Sequence, residues 1–276
     1  MAPTRLFFRA GGKILCRAVA AILLASVVAA CAPASVTPPV APPRLFTPPY
    51  ALPTIQTWAE AYVAETGEAL PFDLEPETLE ASLARAETER GSVLFFLGPP
   101  PEGWFVTPVA SLPVTFVIHP DNPVTDLRPR DLENLFTRRT ADWETLGGSR
   151  TDVQPALPLP GEPVRAWFET AVLRGSPAWP GAWLAPQPEA MFSLIESEEG
   201  AVGFVLGADV PDTVRVARVS GRIPSIDAES GGYPYMVDLL AFAPEEPSGG
   251  LRDFLVWLQA REAVARGQWS VVSRQP

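Results

Sequence analysis

Two spacings of apolar residues alternate along the chain from about residue 44 onward. Helical spacing is clear in residues 54–66, where Ile55, Trp58 and Tyr62 fall on one face, and Gly67 follows as a stop signal. Short apolar runs rich in β-formers, such as residues 92–97, separate the helical segments. This alternation predicts an α/β fold with sheets flanked by helices.

The same patterns place the other elements. Further helices are predicted over residues 75–89, 126–137, 162–173, 188–196 and 250–263, and strands over 70–74, 92–97, 105–118, 153–159, 200–206, 213–219 and 235–243. Pro108 and Pro113 interrupt the long strand at 105–118. Proline cannot donate to a strand ladder, so this segment is predicted to cross from one sheet to another.

The first 30 residues have a different character, with four basic residues, no acidic one, and an apolar run over 18–30. That run is too short to span a bilayer comfortably and has the layout of a secretory signal. Residues 28–31, Val-Ala-Ala-Cys, resemble a bacterial lipoprotein signal, in which the cysteine is lipidated and becomes the new N-terminus. This resemblance implies lipidation of Cys31, and a plain signal peptide is the alternative. Proline-rich residues 31–49 are predicted to be an extended tether.

Composition narrows the possible partners of the 276-residue chain. Without the first 30 residues, 17 basic residues face 32 acidic ones, which gives a net charge of about −15. That balance argues against nucleic acid and against electrostatic docking on anionic lipid. Cys16 would be lost with the signal and Cys31 consumed by lipidation, so no disulfide is expected.

Motifs for catalysis and cofactors are absent from the sequence. His119 is the only histidine, no Gly-x-Ser-x-Gly motif accompanies it, and the simpler prediction is that it ends a strand and bonds to nearby backbone. A zinc site of His and Cys is excluded by count, and no nucleotide-binding glycine motif occurs, so no cofactor is predicted. A carboxylate site for a hard cation stays open, at Asp121 and Asn122 or at Glu196, Glu198 and Glu199, although solvated turn acids explain these residues more simply.

A family resemblance appears in residues 114–148. Their strand, the Asn122-Pro123 turn, the helix ending in Phe136 and Trp143 before Gly147-Gly148 resemble the phosphate-type substrate-binding proteins of ABC importers. The run GAVGFV at 200–205, the Tyr233-Pro234-Tyr235 segment and the helix at 254–262 are similar to further segments of that family.

This resemblance implies a two-lobed, hinged α/β protein of the type 2 periplasmic-binding-protein fold, each lobe a mixed sheet flanked by helices. Residues 50–113 and 220–276 would form lobe 1 and residues 114–219 lobe 2. The hinge candidates are 105–117 and 218–235. The ligand would bind in the cleft between the lobes, and hinge closure would bury it.

The ligand loops depart from the family pattern. The first should be rich in Gly and Ser or Thr, but reads Thr47-Pro48-Pro49-Tyr50, and its two prolines remove two amide donors. The second should carry hydroxyls before a helix, but holds Glu162, whose carboxylate would repel phosphate unless protonated or paired, for example by Arg165. The expected ligand-binding residues are Thr47, Tyr50, Thr115, Glu162 and Arg165.

The function that follows is solute binding outside the cytoplasm by a monomeric lipoprotein. By the family resemblance the small solute would be phosphate or another oxyanion, but the altered loops point to a solute other than free phosphate. The second partner would be a membrane permease of an ABC importer. The alternative is a surface lipoprotein that uses the same fold as a scaffold or sensor without a solute. An enzyme has the weakest support, since no base, nucleophile and oxyanion site can be assembled.

Overall fold

The computed structural model describes residues 42–225 and 232–265. The predicted signal peptide, Cys31 and the tether up to residue 41 lie outside the described residues. Among the described residues, no helix is both long and apolar enough to cross a membrane.

The elements of the described chain follow the predicted α/β order. The strands are β1 (Arg44–Thr47), β2 (Asp73–Pro76), β3 (Val93–Leu97), β4 (Phe105–Ile118), β5 (Asp126–Leu127), β6 (Gln154–Pro158), β7 (Trp183–Ala185), β8 (Ala201–Leu206), β9 (Arg215–Val216), β10 (Arg218–Val219) and β11 (Met236–Ala243). The α-helices are α1 (Leu52–Thr66), α2 (Leu79–Ala86), α3 (Pro129–Phe136), α4 (Pro163–Ala171), α5 (Pro188–Ser197) and α6 (Gly249–Ala265), and Trp143–Leu146 form a short 3-10 helix.

The main sheet has two halves that share the long strand β4. Its order is β2-β1-β3-β11-β4-β8-β6-β7, with β9 also paired to β4 and a separate pair formed by β5 and β10. We call β2, β1, β3, β11 and residues 105–113 of β4 the first half, because these residues of β4 pair with β11. Residues 114–118 of β4 pair with β8, and with β8, β6 and β7 they form the second half.

A second segment lies beside β4 at the boundary between the halves. The Val114 amide donates a hydrogen bond to the carbonyl of Tyr235 over 2.8 Å, and the Tyr233 hydroxyl donates to the carbonyl of Val114 over 2.8 Å. Both contacts lie where β4 changes partner from β11 to β8. The Tyr-Pro-Tyr segment therefore runs alongside β4 at the boundary between the halves.

Aromatic side chains fill the interior of both halves. In the first half, Phe254 of α6 packs edge-on against Tyr62 of α1 at 5.3 Å between ring centroids. In the second half, Phe168 of α4 stacks on Phe204 of β8 at 4.2 Å, and Trp143 is completely buried with its indole N–H donating to the Gly200 carbonyl over 2.9 Å. Trp143 therefore packs in the core with its one polar atom hydrogen-bonded.

Several element boundaries differ from the predictions: the strand predicted at 70–74 lies at 73–76, the helix predicted from 126 begins at Pro129, and the strand predicted at 213–219 is two short strands. Two further differences lie near the start of the described chain. Residues 44–47, assigned to the tether, form β1, which lies between β2 and β3 and is almost wholly buried, so the tether prediction extended too far. The helix predicted from residue 75 begins at Leu79 instead, because residues 73–76 pair with β1 and the Thr78 hydroxyl caps the helix by accepting from the Ala81 amide over 3.4 Å.

Candidate functional site

A cleft of about 520 Å³ opens between the two halves of the sheet. This volume falls in the range typical of small-molecule sites. One wall comes from the turn after β1 and from the start of α2, and the other from the loop between β6 and α4. Its lining residues are Pro48, Pro49, Glu77, Thr78, Leu79, Glu80, Leu83, Leu159, Pro160, Gly161, Glu162 and Pro163.

The first wall contains the turn that the sequence marked as the first ligand loop. Pro48 and Pro49 have no amide N–H, and the Ala51 amide donates to the Pro48 carbonyl over 2.9 Å. Thr47 is completely buried, and its hydroxyl lies 3.5 Å from the Pro48 carbonyl. Thr47 is thus not among the residues that line the cleft, although the turn that follows it is.

Tyr50 connects the two halves behind this wall. It is 1% exposed, and its hydroxyl donates to the carbonyl of Ala185 in β7 over 3.0 Å. Burial, followed by the carboxylates of Glu162 and Glu189, raises the pKa of Tyr50 above its ordinary value. The hydroxyl therefore stays protonated at neutral pH and acts as a hydrogen-bond donor to Ala185.

The second wall contains Glu162 at the start of α4. Gly161 has a φ of 95°, a conformation that favours glycine, and it turns the chain into the helix just before Glu162. Glu162 is 9% exposed, and its Oε2 atom accepts no hydrogen bond from any residue the structure describes. Burial raises the pKa of this carboxyl to about 7. At neutral pH, the carboxyl is therefore a mixture of protonated and ionised forms.

Arg165 is engaged by groups other than Glu162. Its Nε donates to Glu169 over 2.9 Å, one helical turn along α4, and its Nη1 donates to the carbonyl of Pro158 over 2.8 Å. None of these contacts joins Arg165 to Glu162, the pair that the sequence suggested. The side chain is 17% exposed and does not line the cleft.

Thr115 lies at the boundary between the halves. It is 1% exposed, and its hydroxyl donates to the carbonyl of Gly207 over 2.6 Å. Gly207 has a φ of 98°, and a Cβ there would come within 2.6 Å of the Thr54 hydroxyl on α1, so the halves approach closely at this point. Of the five expected site residues, only Glu162 lines the cleft directly.

Acidic and apolar groups dominate the described lining of this cleft. Glu162 is joined by Glu77 and Glu80, and the lining residues include no lysine or arginine. Arg85 partly neutralises Glu77 across 3.3 Å, whereas Glu80 is exposed. The expected residues did not include Glu77 and Glu80, because the sequence pattern placed them inside a helix and not at its start.

Other candidate chemistry has simple explanations in the structure. The Nδ1 atom of His119 accepts a hydrogen bond from the Asp121 amide over 3.2 Å just after β4, as the strand-end prediction expected. A small pocket of about 100 Å³ is lined by polar residues that include Asp121, Asn122 and Glu199. Among the described residues, however, no group of three or more His, Cys, Asp or Glu side chains could hold a metal ion.

Comparison with known proteins adds a sequence family and a relative. The family model described as the PBP superfamily domain matches residues 55–262. Over 169 residues, the chain is 23% identical to the phosphate-binding protein PstS of Bacillus subtilis strain 168. That match covers 60% of this chain and 55% of the relative, so the chain spans about half the length of the curated relative it matches.

The solved structures with the same fold include a transport protein and a regulatory domain. A protein described as a phosphate ABC transporter substrate-binding protein of Clostridium perfringens, with bound phosphate, gives a TM-score of 0.67 at 18% identity over 80% of this chain and 97% of that one. The CcmR regulatory domain of Synechocystis PCC6803, in complex with 2-PG, gives 0.56 at 12% identity over 80% of this chain and 96% of that one. At these identities, the likeness shows the type 2 periplasmic-binding-protein fold alone.

Proposed function

The chain belongs to the PBP superfamily, and we propose that it is an extracytoplasmic solute-binding lipoprotein of an ABC importer whose solute is not free phosphate. The observation that carries this proposal is the cleft between the two halves, where three glutamates and several prolines stand in the loops that would hold an oxyanion. A buried carboxylate without a partner disfavours an anion, and the prolines supply no amide donors.

Two lobes that hinge would bury the solute in this cleft. We propose the lobe boundaries at residues 113/114 and 219/220, with lobe 2 formed by 114–219 and lobe 1 by the rest of the chain after the tether. Because β1 belongs to the first half, lobe 1 begins at residue 44 and not at 50. The change of partner along β4 between Pro113 and Val114 supports the first boundary. Tyr50, Thr115 and Arg165 would then act as positioning residues behind the walls, and Glu162 as the residue that contacts the solute.

Lipidation of Cys31 would hold the protein at a membrane next to its permease. At least two acyl chains make such an anchor stable, which a single chain does not. Mass spectrometry of the mature N-terminus tests this proposal, since it should find an acylated Cys31. The Cys31→Ser variant should leave the membrane fraction, and retention of that variant would contradict a lipid anchor.

Calorimetry with inorganic phosphate on the full chain in detergent tests the choice of solute. We expect no binding below about 1 mM, because the site places a carboxylate against the anion. Sub-micromolar, salt-tolerant binding that is lost in Arg165→Ala would overturn the exclusion of phosphate. Sulfate serves as the matched anion control.

A second candidate function is a scaffold or sensor that binds no solute. Its support is that one hydrophobic cluster includes most of the buried apolar residues of both halves, and that the Tyr50 hydroxyl links the halves directly. A regulatory domain with the same fold lends further support. Thermal unfolding in the presence of anions, neutral solutes and amines separates the two, because a scaffold would show no shift with any of them.

A further inference from the structure

The Oε2 atom of Glu162 lacks a hydrogen-bond donor in the part of the chain that the structure describes. It is buried, and none of the ion pairs or hydrogen bonds of the described residues reaches it. Burying a carboxylate oxygen without a donor destabilises the fold, and more strongly when the group is charged. Because Glu162 lines the cleft, a ligand that enters the cleft could supply the missing hydrogen-bond donor.

Two side-chain donors near Glu162 are engaged with other acceptors. Arg165 donates to Glu169 and to the Pro158 carbonyl, and the Tyr50 hydroxyl donates to Ala185. Pro163, the next residue along the chain, has no N–H. The protein therefore leaves the donor position beside Glu162 to a ligand.

The rest of the cleft indicates the chemical class of that ligand. Glu77 and Glu80 add negative charge on the opposite wall, where Arg85 offsets only the first of them. Apart from the three glutamates, Thr78 and Gly161, the lining residues are apolar. The apolar lining residues are Pro48, Pro49, Leu79, Leu83, Leu159, Pro160 and Pro163. Acidic groups separated by apolar surface complement a solute with an apolar body and a cationic end.

We propose that the cleft binds an organic cation, an amine or guanidinium on a short apolar body, whose cationic group donates a hydrogen bond to Glu162. This inference rests on the proposed solute-binding function and names the class of solute. A charge-assisted hydrogen bond of this kind is about twice as strong as a neutral one. A bare metal ion fits less well, since the described residues hold no group of three ligands for it.

Proton release accompanies such binding. A cation stabilises the ionised carboxyl, so binding lowers the pKa of Glu162 from its value of about 7 in the unliganded protein. Amines stay protonated between pH 6 and pH 8, whereas the free carboxyl is mostly neutral at pH 6 and mostly ionised at pH 8. Affinity should rise about tenfold across this interval. The other charged or titratable groups near the site are Tyr50, Glu77, Glu80, Arg165, Glu169 and Glu189.

Titration calorimetry on the full chain in detergent tests the proposal with 1,5-diaminopentane and butylamine as probes. Matched probes are 1-pentanol, which keeps the apolar body without the charge, and inorganic phosphate. We expect both amines to bind, 1-pentanol to bind at least tenfold more weakly, and phosphate not to bind. In Glu162→Gln, the amine affinity should fall at least tenfold, whereas in Glu196→Gln, on the exposed face of α5, it should stay within twofold.

Failure of this inference can be distinguished from failure of the proposed function. Binding of phosphate or 1-pentanol without the amines would overturn the cation inference and leave solute binding standing. If no probe and no member of the wider panel of anions, neutral solutes and amines binds, both fail.

A measurement on the unaltered chain covers the case in which Glu162→Gln does not fold. At pH 6.5, amine binding in buffers of different ionisation enthalpy should release about 0.5–0.8 proton. Amine binding without proton release would show that the cation does not meet Glu162 and would overturn the inference.

Discussion

Two helices of this protein both have proline as their first residue, but the buried carboxylates at their N-terminal ends differ in hydrogen bonding. Helix α3 starts with Arg128 followed by Pro129, and α4 starts with Glu162 followed by Pro163. Asp131 in the first turn of α3 is 7% exposed, and Glu162 is 9% exposed. Two carboxylates of nearly equal burial can therefore be compared at equivalent helix ends.

Hydrogen bonding separates the two groups. Asp131 accepts from the backbone amide of Arg128 over 2.9 Å and from its Nε and Nη2 over 2.9 and 3.0 Å. Burial acts to raise the pKa of Asp131, but the hydrogen bonds and charge of Arg128 outweigh it, and the pKa lies below its ordinary value. Glu162 has burial without such donors, and its pKa is raised. Asp131 thus stabilises the fold, whereas ionised Glu162 costs stability.

The largest expected effect comes from removing the satisfied carboxylate. Asp131→Ala should lower the free energy of unfolding at pH 7 by about 2–3 kcal/mol, because the Arg128 amide loses its acceptor and α3 loses its cap. Urea unfolding measures the change. The pKa of Asp131 is lowered in the folded state, so its contribution is present above the unfolded value and is lost as the pH falls through the folded value. A loss below 0.5 kcal/mol at pH 7 would show that the two helix ends do not differ in this way.

Removing the unsatisfied carboxylate should have a smaller effect of opposite sign. The folded pKa of Glu162, about 7, lies above its ordinary value of 4.5, so the wild-type protein loses stability as the pH rises between these values. Glu162→Gln cannot ionise. Relative to wild type, it should gain about 1–2 kcal/mol between pH 5 and pH 8.

Urea unfolding at both pH values, without ligand, measures this gain. Glu196→Gln provides the control, since it makes the same substitution at an exposed position of α5. A flat difference between Glu162→Gln and wild type would mean that Glu162 has a partner in solution.

The smallest expected effect comes from removing the Arg128 side chain while its backbone amide stays bonded to Asp131. It separates the contributions of the side chain and the amide to stability. This side chain is 75% exposed, so its ion pair with Asp131 should contribute little. Arg128→Met keeps the amide that donates to Asp131 and should cost about 0.5 kcal/mol at pH 7. The same urea measurement applies, and a cost equal to that of Asp131→Ala would place the stabilisation in the ion pair and not in the cap.

Periodicity predicted most of the elements because burial repeats along a strand or helix. The segment with Pro108 and Pro113 is a single strand that changes partner after Pro113, as the prolines indicated. The GAVGFV run forms β8 and is wholly buried. Short elements such as β5 and β7 escaped prediction, because two or three residues carry no period.

The site was less predictable, because it depends on which of several partners a side chain takes. Arg165 could reach Glu162 or Glu169, and the structure places it on Glu169 and the Pro158 carbonyl. Arg165 and Glu169 are four residues apart on one helix, so the sequence is compatible with their ion pair. The hydrogen bond from Arg165 to the Pro158 carbonyl depends on the path of the loop before the helix, which the sequence does not give. Glu77 comes to the cleft for a similar reason, since the start of α2 is fixed by the pairing of β2 with β1.

The position of β11 in the sheet affects how the chain reaches its fold. This strand lies between β3 and β4, more than 110 residues away from either along the sequence, and pairs with both. The first half of the sheet therefore cannot close until residues 236–243 have been synthesised. Such distant pairing slows folding and keeps apolar strand edges accessible for longer. The N-terminal strands of this half therefore wait, unpaired with β11, until late in the synthesis of the chain.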